Sequence, residues 1–325
     1  MIFLVSNSSD PCFNLALEET LLRECGDEVF MLWQNDNTIV VGKNQNTLAE
    51  IDYDYVKENG IRVVRRITGG GAVYHDMGNV NFTYITSCDG EWESDFSRFA
   101  RPVILALSEL SISASVSGRN DIVADGKKIS GNAQTVVNGR ILHHGTILLD
   151  TNFEILTKAL IPDPRKIKSK GIKSVASRVG NVSEIAGRKV SADELIRFVK
   201  SKVEELYNGQ ACEIPAEFIK KAEKLADEKY RTWEWNFGYS PKYTFTKSEK
   251  FDAGIVEVSF EVSDGKITAV KFSGDFFGMK DVEDIEKALC GVPHREETIS
   301  DVLNKFKLSD YFGKIEPGEL LKILI

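Results

Sequence analysis

Two dipeptides, Asp125-Gly126 and Asn138-Gly139, each stand between short runs rich in β-branched residues. Asp or Asn followed by Gly suits the positive φ angles of a tight type I′ turn, the connection of an antiparallel hairpin. "NDIVADGKKISG" and "QTVVNGRILHHGTILL" therefore read as two successive hairpins. The runs "VFMLWQ", "TIVVG", "IRVVRR" and "VNFTYIT", bounded by turn residues, read as further strands, as does the N-terminal "MIFLVSNSSD". Helical patterns lie among them. "SSDPCFNLALEETLLREC" opens with Asp10 as N-cap and Pro11 at the first helical position. Others are expected near 95–110, 152–160 and 191–207, the last opened by Ser191-x-x-Glu194, a capping-box pattern, and through "PAEFIKKAEKLADEKY".

Periodicity breaks over "NFGYSPKYTFTKSEKF". Beyond it, "GIVEVSFEV", "SDGK" and "ITAVKFSG" form a hairpin, with helices expected at 281–290, 295–306 and 316–325. The fold class is α+β: a domain of residues 1–240 with mixed or antiparallel sheets and packed helices, a linker at 241–250, and a small α+β domain at 251–325.

The charge balance bounds the partners. A net charge of −8 makes the surface as a whole repel nucleic acid and anionic lipid, so neither is an expected partner. Any anionic ligand must meet a local basic site. The five cysteines are scattered and odd in number, without a CxxC pair, which fits neither a disulfide framework nor a zinc site. No apolar run approaches the ~18 residues of a membrane span, and the short N-terminal run has no basic lead. A reducing, cytoplasmic setting is expected.

One such basic site is visible in "RRITGGGAVYHDMGN", Arg65 to Asn79. Consecutive glycines either bend a chain or let backbone N–H groups approach a ligand. Neither nucleotide fingerprint fits, because Tyr74 stands where G-x-G-x-x-G needs its last glycine and no GxxxxGK[ST] occurs. Arg65 and Arg66 end a strand, so one should face the glycine loop and the other solvent or a structural carboxylate. A guanidinium beside bare backbone binds carboxylate or phosphate in a defined orientation. His75 and Asp76 suit either acid–base or structural work. On the hairpin, Lys128 and Ser130 should share one face and Ile129 the other, placing Lys128 in a cleft if Ile129 is core; the alternative is a solvated lysine. Gly145 would permit close approach of a ligand and Thr146 a hydrogen bond to it. From Pro164 to Ser183 there are six basic residues and no acidic one, a loop suited to covering phosphate or docking an acidic carrier.

Taken in order, "RRITGGGAVYHDMGN", "GRNDIVADGKKISGNAQ", "HHGTILLD" and "KGIKSVASRVGN" resemble the lipoate–protein ligases, and "MLWQNDNTIVVGKNQN" fits too. The resemblance spans most of residues 1–240; the module after 250 is similar to the accessory domain of such ligases. It implies a biotin/lipoate ligase-like catalytic domain and a two-step reaction with ATP and Mg²⁺. Lipoate becomes lipoyl-AMP, and the lipoyl group passes to a lysine of lipoyl carrier domains, those of 2-oxoacid dehydrogenase complexes or the glycine cleavage H protein. By the same resemblance Lys128 would be catalytic, contacting carboxylate and α-phosphate, with Arg66, Gly70 and Gly71 at the same anionic centre. Tyr74 and His75 would lie near the adenylate, Asp121 would bind nucleotide or metal, and Leu15 and Trp33 would line an apolar tunnel. His144, Gly145 and Thr146 would contact the lipoyl group, and Lys173, Ser174 and Arg178 would close over the adenylate. Tyr74 and Asn132 depart slightly from the family pattern. The rival readings are a cysteine-dependent octanoyl or lipoyl transferase of the same fold, a biotin–protein ligase, and a non-catalytic binder of lipoyl compounds.

Overall fold

The computed structural model describes residues 1–88, 96–118, 120–161, 178–240, 243–251, 254–274, 280–313 and 315–325. The chain divides into two compact units. The first comprises Met1–Lys43 and Glu50–Thr232, the second Asn44–Ala49 and Trp233–Ile325.

Eleven of the described strands belong to the first unit: β1 (Ile2–Val5), β2 (Val29–Trp33), β3 (Thr38–Val41), β4 (Arg62–Arg65), β5 (Val73–His75), β6 (Asn79–Ser87), β7 (Ala114–Ser117), β8 (Asp121–Ala124), β9 (Lys127–Val137), β10 (Arg140–Leu148) and β11 (Gln210–Ala211). Eight form one sheet in the order β11-β1-β2-β6-β10-β9-β8-β7, and three form a small sheet, β4-β3-β5. In the large sheet the β11-β1-β2 edge is parallel and the rest antiparallel; in the small sheet β3 runs parallel to β4 and antiparallel to β5. Both expected turns close hairpins, with φ of 50° and 70° at Asp125-Gly126 and 50° and 72° at Asn138-Gly139.

Register sorts the large sheet into two faces, because side chains alternate along a strand. Trp33 pairs with Asn81 and Asn81 with Thr146; Met31 pairs with Thr83, Thr83 with His144 and His144 with Ala133. These rows share one face, covered by the helix Pro11–Glu24 through Glu18. On the other face Phe30, Phe82, Tyr84 and Ile147 pack under Phe99, Val103 and Leu107 of the helix Phe96–Ser108 and Leu195, Val199 and Val203 of Ala192–Tyr207. Phe30 stacks between Phe3 and Phe82, with ring centroids 6.2 and 6.1 Å away.

One irregularity moves a key residue. Across β8 and β9, Ile122 pairs with Ser130 but Val123 pairs with Lys128, so Ile129 is an extra, bulged residue. The bulge lets Ile129 and Ser130 both turn inward, where both are buried. Lys128 therefore does not share a face with Ser130; it lies on the face of Asp121 and Gly131. Simple alternation fails here because a bulge adds one residue to the period.

The second unit builds a three-stranded antiparallel sheet, β12 (Tyr243–Phe251), β13 (Gly254–Ser263) and β14 (Lys266–Gly274). Val256, Val258, Phe260 and Phe272 pack with Ile285, Leu289, Ile299, Leu303 and Leu320 of its helices in a separate core. The segment read as a linker at 241–250 is thus corrected: residues 243–251 pair with β13 along their whole length. As an edge strand β12 keeps polar residues on its open side, and these hid its two-residue period. The expected capping box at Ser191 is half-formed. Ser191 Oγ accepts from Glu194 N–H at 3.2 Å, but the Glu194 carboxylate is bonded by Arg188.

Phe30→Ala should destabilise the first unit by about 3–5 kcal/mol, the cost of truncating a buried aromatic, read from urea denaturation. Ile255→Ser, at an exposed position in the second unit, should leave stability within about 0.5 kcal/mol.

Candidate active site

A cavity of about 160 Å³ opens on the Trp33–Asn81–Thr146 face, between the large sheet and the glycine segment. Leu15, Trp33, Val40 and Val73 give it apolar walls; Arg66, Gly70, Gly71, His75, Asn81, Lys128, His144, Gly145 and Thr146 also line it. Residues far apart in sequence meet here because β5, β6, β9 and β10 converge on one place.

A continuous hydrogen-bond chain runs behind the cavity. Arg66 Nε donates to Thr68 Oγ1 at 2.9 Å. Thr68 Oγ1 lies 2.8 Å from His144 Nε2, and His144 Nδ1 lies 3.1 and 3.2 Å from the Glu18 carboxylate. Thr83 Oγ1 donates to Glu18 and accepts from Trp33 Nε1 at 2.8 Å. A carboxylate only accepts, so His144 carries its proton on Nδ1 and accepts at Nε2 from the threonine hydroxyl. Every donor in the chain then points toward Glu18. Burial brings the Arg66 guanidinium down to about 10, with Glu18 opposing that shift. It is still charged at neutral pH.

Arg66 holds the glycine segment rather than standing free. Nη1 donates to Val40 O at 3.1 Å, and Nη2 to Gly69 O and Gly71 O at 2.7 and 2.9 Å. With the Nε bond, four of the five guanidinium N–H groups are used, leaving one on Nη1. Gly70 has φ +98° and packs its carbonyl where a Cβ on Gly42 would lie. Arg65 does not face solvent: fully buried, it donates to Gly42 O and Lys43 O at 3.0 Å. No sequence pattern marks such backbone acceptors.

Lys128 Nζ lies 2.7 Å from Asp121 Oδ1, with both side chains about one-third exposed. Its backbone is held by the C-terminal part of the basic run: Lys128 N–H donates to Arg178 O at 2.8 Å and Gly180 N–H to Lys128 O at 2.9 Å. Asp121 and Arg178 thus act at the cavity's edge through Lys128 without lining it. Lys173 and Ser174 lie outside the described residues.

Two glycine-segment and hairpin expectations change. Tyr74 is not in the cavity: strand alternation turns it away from Val73 and His75, and its hydroxyl donates to Asn37 Oδ1 at 3.1 Å. Gly145 does line the cavity with its backbone, but an added Cβ would point the other way, into Asn132 and the Phe82 ring. Its glycine is demanded by core packing rather than ligand approach. His75 is buried and neutral: burial first, then the Arg66 charge and His144, hold its imidazole down to about 3. That rules it out as a general base near neutral pH. Glu18, Thr68, Asn81 and Thr83 were missed from sequence. The one available signal was Glu18-Glu19 inside "LALEETLL", two acids in an otherwise apolar helix.

An apolar cavity with an ammonium at one side and a charged, glycine-rich loop beside it is built for a carboxylic acid carrying a hydrophobic tail. The comparisons agree with that class. The model of the lipoyl protein ligase A/B catalytic domain matches residues 10–204, and that of the bacterial lipoate protein ligase C-terminus matches 240–324. Lipoate–protein ligase 1 of Staphylococcus aureus is 42% identical over 98% of both chains, and lipoate-protein ligase LplJ of Bacillus subtilis 42% identical over the full length of both. Among solved structures, Plasmodium falciparum LipL1 in complex with lipoate is 30% identical, with a TM-score of 0.62 over 94% of each chain. A lipoate-protein ligase A bound with ATP is 30% identical, with a TM-score of 0.63 over 73% of this chain and 98% of its own. The Thermoplasma acidophilum bi-partite lipoate protein ligase, described with its E2 lipoyl domain, is 31% identical, with a TM-score of 0.66 over 73% of this chain and 96% of its own. The chain belongs to the lipoate–protein ligase family and is an amide-bond-forming ligase. Among the described residues no helix is long and apolar enough to cross a membrane.

The buried neutral His75 sets a pH dependence. Its folded pKa lies below the unfolded value of about 6.5, so its contribution to stability is complete above pH 6.5 and is lost as pH falls toward 3. Between pH 7.5 and pH 5 the wild type should lose about 2 kcal/mol more stability than His75→Gln in urea denaturation. Equal losses would mean that His75 titrates freely.

Proposed function

We propose that this ligase activates lipoate with ATP and passes the lipoyl group to a lysine of a lipoyl carrier domain, with Lys128 at the reacting centre. The observation that carries the reading is the placement of Lys128, bulged onto the cavity face and set against Asp121, at the charged side of an apolar cavity. In the first step a lipoate carboxylate oxygen attacks the α-phosphorus, a P–O bond forms, and pyrophosphate leaves. Two anions approach, so a fixed cation lowers the barrier most. Lys128 exchanges Asp121 for these oxygens, while the Arg66 charge lies beside them. Leu15, Trp33, Val40 and Val73 hold the tail. In the second step the carrier lysine's neutral amine attacks the acyl carbonyl, an amide forms, AMP leaves and the amine loses a proton. No protein nucleophile takes part.

The cavity is smaller than the roughly 300–1,000 Å³ of usual ligand pockets. It suits the acyl chain, with the nucleotide at the mouth near Gly70, Gly71 and Lys128. Asp121 Oδ1 meets Lys128 in the absence of substrate; once Lys128 turns to the substrate oxygens, this carboxylate would be free to meet a Mg²⁺ that arrives with the nucleotide. No group of three or more His, Cys, Asp or Glu that could hold a metal occurs among the described residues. Magnesium would be held mainly by the nucleotide's phosphates and water, with at most one or two protein carboxylates.

The cysteine-dependent transferase reading has no support in the site. None of the five cysteines lines the cavity. Cys12, on the first helix, donates to Tyr230 O at 3.2 Å, and burial pushes its thiol up to about 11.

Purified protein should release pyrophosphate only with both ATP and lipoate present, and Lys128→Ala should lower that rate at least about 100-fold, the scale of losing one electrostatic stabiliser. Asp121→Asn should fold normally and lose less. A Lys128→Ala rate near wild type would remove Lys128 from the reacting centre. Carriers from 2-oxoacid dehydrogenase complexes and the glycine cleavage H protein, offered separately with lipoyl-AMP, would show which is modified.

A further inference from the structure

Lys128 reaches the cavity face only because β9 carries one extra residue at Ile129. Without that bulge the ladder would pair Val123 with Ile129. Lys128 would then share the buried face of Ser130, away from Asp121, because a one-residue slip turns a strand's side chains over. Something must hold the bulged register against the regular one.

Asn132 grips it from the regular side. Its Nδ2 donates to Asn120 O at 3.0 Å and to Ser130 Oγ at 3.3 Å. Its backbone N–H donates to the same Asn120 carbonyl at 2.9 Å, and Asn120 Nδ2 donates back to Asn132 O at 2.6 Å. Asn120 lines the cavity and directly precedes Asp121, the partner of Lys128. The clamp thus joins the start of β8 to the strand that bears the bulge.

The Asn132 amide is itself aimed from the opposite face of the sheet. A carbonyl oxygen only accepts, so Nδ2 faces Asn120 O and Oδ1 faces His143 Nε2, 3.2 Å away. Nε2 therefore carries the imidazole hydrogen and donates, while Nδ1 accepts from Gln134 Nε2 at 3.0 Å. His143 is fully buried among Phe99, which stacks on it at 5.0 Å, Phe96 at 5.4 Å and Phe82 at 5.6 Å. Burial first, then His144, hold its imidazole well below the usual histidine range, so it stays neutral and its donor stays fixed. Gly145, across from Asn132, leaves the space that Asn132 Oδ1 occupies. A polar ring in an aromatic cluster costs stability unless its hydrogen bonds are made, and this one makes both.

Resting on the ligase reading above, we propose that His143 and Asn132 are positioning residues, which hold the β8–β9 bulge through Asn120 and Ser130 and so keep Lys128 on the cavity face.

The test is steady-state pyrophosphate release with ATP and lipoate, on protein that urea denaturation shows to be folded at the assay temperature. His143→Phe fits the aromatic cluster but has no N–H to give. His143→Gln loses the ring but keeps an amide donor near the place of Nε2. His143→Phe should lower kcat about 10-fold or more, as a small displacement of a reacting group does. KM for lipoate should stay within about threefold, because the apolar walls are untouched. His143→Gln should bring kcat back to within about threefold of wild type, a rescue not expected of a residue that only fills the core. Adding His143→Phe to Lys128→Ala should change the remaining rate by less than about twofold, since its route to the chemistry is already cut. If His143→Phe does not fold, Asn132→Ala carries the same expectations: kcat falls, and the loss vanishes in the Lys128→Ala background. Wild-type kcat in the folded variant overturns the proposal. So do equal losses in His143→Phe and His143→Gln, or full additivity with Lys128→Ala. A wild type that releases no pyrophosphate is a separate failure, of the ligase reading itself, and this proposal falls with it.

Discussion

The first unit is organised around a buried pair of opposite charges that do not touch. Glu18 enters from the first helix and Arg66 from the end of β4; His144 and Thr68 carry the connection between them. Either ion alone in the interior would cost several kcal/mol. The helix, the large sheet and the glycine segment can therefore bury these groups only together. The chain's directionality, with every donor aimed at Glu18, leaves no polar atom of these four groups competing for a second arrangement.

That constraint reaches the catalytic region through backbone carbonyls. Because Arg66 spends most of its N–H groups on Val40, Gly69 and Gly71, the glycine segment takes one shape, and its cationic character is delivered by a group that cannot swing away. Lys128 is the opposite case. It is partly exposed, paired to a single carboxylate and mounted on a bulge whose backbone is strapped by residues 178–180. One cation is fixed for electrostatics, the other poised to change partners. This division suits a reaction in which two anions must be brought together and the product then released.

Much of this was legible. Asp-Gly and Asn-Gly turns need only local φ preferences, so the hairpins and their order could be read from the chain, as could the helix opening at Asp10-Pro11. The site segments were visible as short stretches of unusual composition, and their linear order carried the family resemblance. Misreadings fell where a local rule met a nonlocal condition. Alternation placed Lys128 with Ser130 until a bulge intervened. Gly145 lines the cavity as expected, but the bar to a side chain there comes from Phe82 and Asn132 on neighbouring strands, which sequence does not show. The edge strand β12 passed for a linker because its open side is polar.

By itself, then, the sequence determined which segments turn, which bury an apolar face and which residue types supply charge, since these follow from single residues and short periods. The tertiary structure alone decided the pairings: Glu18 with His144, Arg66 with the glycine carbonyls, Lys128 with Asp121, and His143 with Asn132. Burial changes what a group costs and where its protons sit, and burial belongs to the packed molecule. A histidine that looks available for acid–base work in the chain is held neutral once its neighbours close around it.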